Sequence, residues 1–107
     1  MDISYEEFKR LDLRTGKVVS VEDHPNADKL YLITVDLGTE QRKMVAGIKP
    51  WYQKEDLVGK NVIVLTNLAP KNIRGIESHG MILASLAGNQ LAILTLDKDL
   101  PPGSPVS

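Results

Sequence analysis

The chain contains no cysteine, which excludes disulfides, thiolate catalysis and zinc sites built on sulfur. Histidine is almost as scarce. His24 and His79 are the only two, and neither has a partner at the spacing of an H-x-x-x-H metal site. Aromatic residues make up 5%, too few for a single-strand binder that stacks base after base on side-chain rings. No apolar run approaches the roughly 20 residues needed to span a bilayer. The start, Met1-Asp2-Ile3-Ser4, lacks the basic and apolar regions of a secretory signal. There is no G-x-S-x-G elbow and no Walker-type glycine loop. Asp36 and Glu77 have no evident carboxylate partner and read as solvated or capping charges. These absences lead to an expectation of no enzymatic activity, no cofactor, no metal and no membrane association, with the cytoplasm as the default location.

At 107 residues the chain is expected to form one domain, residues 1–107, long enough for a single core. Its 42% hydrophobic and 25% charged composition is that of a folded globular protein. The net charge is −1 and the pI about 6.1, but the charge is unevenly spread. Residues 1–40 carry five Lys/Arg against nine Asp/Glu, whereas residues 41–80 carry seven against three. A locally positive surface on a mildly acidic protein attracts phosphate while limiting indiscriminate adhesion.

Ser4 and Glu7 have the spacing of a capping box, which predicts a short helix with Phe8 and Leu11 facing inward. Leu13–Val21 reads as a long strand bent at Gly16. Pro25-Asn26-Ala27-Asp28 then breaks it, with His24 expected to face solvent. From Leu30 to Leu37 the residues alternate, Tyr31, Ile33, Val35 and Leu37 sharing one face. Leu37–Glu40 is a turn into a third strand, Gln41–Ala46. Lys54–Leu57 reads as one helical turn stopped by Gly59, and Asn61–Thr66 as a strand buried on both sides. Trp51 and Tyr52 could stack bases, but fit better as a cap on one end of a core. Met81–Leu86 and Leu91–Leu96 follow as strands around a Gly88-Asn89 turn, and Pro101-Pro102-Gly103 is expected to end regular structure. Short strands, glycine bends and one intervening helical turn permit a small Greek-key barrel.

Between Val62–Leu65 and Ile82–Ala84 lies Pro70-Lys71-Asn72-Ile73-Arg74-Gly75-Ile76-Glu77-Ser78-His79-Gly80-Met81. Lys71 and Arg74 are fixed charges, and Gly75 and Gly80 allow close approach of backbone. Taken alone, the stretch reads better as a solvated loop whose cations maintain solubility. In register, however, Lys71, Gly75, Ser78, Gly80, Met81, Leu83 and Ala84 match K-x-x-x-G-x-x-S-x-G-M-x-L-A. That pattern resembles the signature of the tRNA-binding domain family. Asp12–Val18, His24–Leu30 and Val45–Ile48 resemble the family's opening strand, first loop and third strand with its exit. His79 stands where many relatives carry glutamine.

The resemblance implies an all-β fold: a five-stranded OB barrel with a short N-terminal helix, a helical turn between strands 3 and 4, and a C-terminal strand extension. It implies structure-specific binding of tRNA at the outer corner of the L. The partner enzyme would be a methionyl-tRNA synthetase, assisted by a separate subunit or by a domain of the enzyme itself. It also implies a homodimer. On this basis Lys29, Lys71 and Arg74 would neutralise phosphates and Ser78 and His79 would hydrogen-bond sugar or phosphate oxygens; Arg42 and Lys49 join the first set and Asn67 the second only on expected proximity in the barrel. Met81, with Gly80 giving access, would pack on a base or ribose. An alternative is a small dimeric export-type chaperone or docking module of the same fold. Its F-x-x-L-D-x-R-x-G opening is matched by Phe8, Leu11, Asp12, Arg14 and Gly16.

Overall fold

The computed structural model describes residues Met1–Ser107 throughout. The capping box forms as the sequence predicts. Ser4 Oγ accepts the Glu7 N–H and the Glu7 carboxylate accepts the Ser4 N–H, both at 3.1 Å, starting helix α1 (Tyr5–Phe8). Six strands and one helical turn follow: β1 (Leu13–Asp23), β2 (Tyr31–Asp36), β3 (Gln41–Ala46), α2 (Lys54–Leu57), β4 (Asn61–Leu65), β5 (Lys71–Ile73) and β6 (Ile76–Ser78). β7 (Met81–Ile82), β8 (Ala84–Ala87) and β9 (Gln90–Ile93) complete the chain.

The main sheet runs β3-β2-β1-β4-β7 and is antiparallel throughout. Strand β1 is long enough to serve two neighbours, pairing Leu13–Lys17 with β4 and Lys17–Asp23 with β2. The sheet nearly closes where residues 78–79 return to β3. There the His79 N–H donates to the Lys43 carbonyl at 3.1 Å, and the Val45 N–H donates to Ser78 Oγ at 2.9 Å. The result is a five-stranded barrel of the OB type.

Alternation on β2 sets the core. Tyr31, Ile33, Val35 and Leu37 are all buried, packed with Val18, Met44, Ile48, Leu57, Val62, Val64 and Ile93. Ile63, on the opposite face of β4, is buried too, so that strand is covered on both sides.

Four local features differ from the sequence expectation. Leu11, expected to face inward, lies beyond the end of α1 and is exposed, because the helix is only one turn long. The irregularity in β1 is not at Gly16, which stays in register with Val62, but between Val18 and Ser20, where Val19 bulges outward. Gly16 is required instead because a Cβ there would collide with the Val35 side chain. The signature stretch is not one connecting loop but a second hairpin, β5–β6, turned by Arg74 and Gly75. The chain after Pro102 does not trail away. Thr15 N donates to the Ser104 carbonyl at 2.9 Å, and Gly103 N to the Thr15 carbonyl at 2.8 Å, extending the sheet beside β1.

Candidate functional site

Pairing within β5–β6 decides which signature side chains meet. Lys71 lies opposite Ser78, Asn72 opposite Glu77, and Ile73 opposite Ile76. Strand alternation therefore puts Lys71, Ile73, Ile76 and Ser78 on the face turned toward the barrel, and Asn72 and Glu77 on the outer face. Between the hairpin and the barrel lies an open pocket of about 240 Å³, lined by Val45, Leu68, Lys71, Ser78, Gly80 and Met81 among others. Its floor is apolar, and Met81 is half-exposed at its edge. Lys71 is exposed and forms no ion pair.

Ser78 and Gly80 build this pocket from below. The Ser78 side chain is buried; its hydroxyl accepts from Val45 N and donates to the Gly80 carbonyl at 3.3 Å. Gly80 has φ +114°, and a Cβ there would come within 3.1 Å of the Leu65 carbonyl. Both residues hold the barrel's closing seam.

His79 projects to the other side of β6, into a cleft shared with Glu40, Arg42, Lys43 and Glu77. Its Nε2 lies 2.8 Å from Glu77 Oε1. Lys43, which the sequence had not marked, is exposed there without a carboxylate partner. Its signal in the sequence is only a polar position on the outward face of β3, which many surface lysines share.

Three expected phosphate or sugar contacts are committed within the fold. Arg42 donates to Glu40 at 2.7 Å and to the Thr66 carbonyl at 2.6 Å. The Arg42 guanidinium beside Glu40 holds that carboxyl below its usual range. Lys49 pairs with Asp23 at 3.0 Å and lies over the Tyr31 ring. The hydrogen bonds from Lys49 and then Lys54 lower the Asp23 pKa. Asn67 uses both ends of its amide, accepting from Asp12 N and donating to the Arg10 carbonyl. Each was selected by expected proximity, which says nothing about a competing partner.

At the hairpin tip Arg74 and Gly75 both have positive φ, +55° and +94°, the geometry of a two-residue turn that matches strand twist. The tip is docked against the first loop. Asn26 Nδ2 donates to the Arg74 carbonyl at 3.2 Å, and Arg74 Nη2 donates to the Asn26 carbonyl at 3.0 Å. Lys29, exposed and without an ion pair, lies in that same loop. His24 corrects the sequence expectation: it is buried, not solvent-facing, with Nε2 2.9 Å from the Ile73 carbonyl. Trp51 is partly exposed, its Nε1 donating to the Asn89 carbonyl at 2.8 Å; it staples the β8–β9 turn and does not flank the pocket.

Among known proteins, the family model described as "Putative tRNA binding domain" matches residues 13–105. The chain is 52% identical over 102 residues to a methionine–tRNA ligase of Thermococcus onnurineus, covering 95% of this chain and 14% of that protein. It is 47% identical over 105 residues to the corresponding ligase of Thermotoga maritima, covering 98% of this chain and 17% of that protein. The chain thus spans only a small fraction of the length of these curated relatives. Among solved structures, a MetRS related protein from Pyrococcus horikoshii superposes with a TM-score of 0.92 at 30% identity, each chain covered completely. The chaperone CsaA of Bacillus anthracis str. Ames gives a TM-score of 0.90 at 28% identity, again over both whole chains.

Proposed function

The chain belongs to the tRNA-binding domain family, and from that premise we propose that it grips folded tRNA by its phosphates, without catalysis, for a synthetase of the methionyl type. The observation that carries this reading is that Lys71 and Met81 frame one open pocket, with Arg74 at the tip of the same hairpin and with Lys29 on the first loop and Lys43 on β3 both exposed and free of carboxylate partners. Cations flanking an apolar recess suit a ribose or base held within a run of phosphates. Folded A-form RNA hides its base edges in a deep groove, so shape and phosphate are what such a surface reads. Lys29, Lys43, Lys71 and Arg74 face phosphate, His79 faces a sugar or phosphate oxygen, and Met81 packs on the base or ribose. The module acts beside the synthetase as a separate subunit or as part of one, in the cytoplasm.

A homodimer is part of the proposal. Every residue of β8 is exposed, Leu86 among them, and β8–β9 forms a two-stranded sheet outside the barrel. A second copy covering this hairpin removes an otherwise open strand edge. Sedimentation analysis should give twice the chain mass.

Titration with bulk tRNA and with single-stranded RNA of equal length, at about 50 and about 200 mM salt, tests the function. With four cations free of carboxylate partners, log affinity for tRNA should fall against log salt with a slope between about −3 and −4. Equal or absent binding of the two RNAs rejects the proposal. A second reading, polypeptide binding, is favoured by the likeness to CsaA and by an apolar cleft of Ile3, Leu11, Leu65 and Leu68 beside α1. Capture of unfolded polypeptide that tRNA does not displace would support it.

A further inference from the structure

His24 joins the first loop to the signature hairpin. It is 5% exposed, at the end of β1, and both ring nitrogens are engaged. The Asn26 backbone N–H points at Nδ1 from 3.0 Å, so Nδ1 is the acceptor and carries no proton. Nε2 must then hold the ring proton and donate it to the Ile73 carbonyl at 2.9 Å. One side chain thus reads a single tautomer and links two segments 49 residues apart. The two Asn26–Arg74 bonds complete a three-bond latch between the first loop and the hairpin tip.

The latch sets the position of the proposed binding surface. Lys71 and Arg74 stand on the hairpin, Lys29 on the loop, and nothing else in the hydrogen-bond pattern joins those two segments. Without it the hairpin keeps its seam at Ser78 and His79 but loses its anchor at the opposite end. Other charged groups leave His24 to act alone. Asp23, next to it in the chain, is engaged by Lys49 and Lys54. Asp28 and Lys29 lie farther along its own loop, and of the hairpin's charged residues, Lys71, Arg74 and Glu77, Arg74 is the one bonded to that loop, through Asn26.

Resting on the tRNA-binding reading above, we propose that His24 is a positioning residue for RNA capture. Its ring holds the signature hairpin against the first loop: Nε2 donates across to the Ile73 carbonyl, and Nδ1, by accepting the Asn26 N–H, fixes both the ring's orientation and the residue whose two bonds to Arg74 complete the latch.

Protection factors of the hairpin amides, read by hydrogen exchange without RNA, and tRNA affinity are measured for the unaltered chain, His24→Ala, His24→Gln and Asn26→Ala. His24→Ala and Asn26→Ala should each loosen the hairpin tip while core amides stay protected, and weaken tRNA binding by about three- to tenfold. His24→Gln, which keeps a donor for the Ile73 carbonyl, should restore most of both. Unchanged hairpin protection in His24→Ala overturns the latch, as does an affinity that ignores the loosened tip. A hairpin that loosens in a protein that binds no tRNA in any form overturns the tRNA reading instead, and the role in capture with it.

Discussion

Ser78→Ala separates a supporting role from a contact role within the signature. The hydroxyl is buried and makes two bonds, accepting from Val45 N at 2.9 Å and donating to the Gly80 carbonyl at 3.3 Å. Removing it leaves the Val45 N–H without a partner at the barrel's closing seam. An unsatisfied buried donor costs about 1–3 kcal/mol. The methyl of alanine nearly fills the space, so a cavity adds little. For a domain of this length the unfolding entropy is roughly 0.2 kcal/mol per kelvin. The melting temperature should therefore drop by about 5–13 °C, read by circular dichroism. tRNA affinity measured well below the transition should change by less than about threefold, with an unaltered salt slope. An unchanged melting temperature with a large loss of affinity would refute the reasoning and return Ser78 to the RNA-facing set.

Lys71→Ala should make the salt slope shallower by about 0.9, whereas Met81→Ala should weaken binding and leave the slope unchanged; filter-binding series at several salt concentrations distinguish the two. Gly80→Ala should destabilise the fold, because its φ of +114° is strained for alanine and the new Cβ would press on the Leu65 carbonyl; a lowered urea midpoint checks this. Asp12, Asp23, Glu40 and Asp99 all have pKa values lowered in the folded state, by Thr66, Lys49, Arg42 and Asn61 first among their causes. A depressed native value means that the stabilisation is present above the ordinary carboxylate range, near pH 4, and is lost as pH falls through the native values. Urea midpoints should accordingly decline below about pH 4, less steeply in Asp23→Asn.

Local chemistry made much of the fold legible. The Ser4–Glu7 box, the alternation of Tyr31, Ile33, Val35 and Leu37, and the helical turn at Lys54–Leu57 are short-range features, and each forms where the sequence puts it. The bulge at Val19 left no such trace, because it arises from β1 having to pair with both β2 and β4. The second hairpin was hidden by an arginine at positive φ, a conformation more often marked by glycine or asparagine.

The candidate site divides along the same line. By itself the sequence determined the residue types and their register: cations at Lys71 and Arg74, a methionine at Met81, glycines where the chain must turn or pass closely, and no cysteine. Only the tertiary structure decided which of those residues are free. Arg42 and Lys49 meet carboxylates, Asn67 closes on backbone, Ser78 is drawn into the seam and His24 is buried against the hairpin, while Lys29, Lys43 and Lys71 remain unpaired. The physical reason is that a polar group's availability depends on the partners brought to it across the fold, and those partners lie up to 57 residues away in the chain.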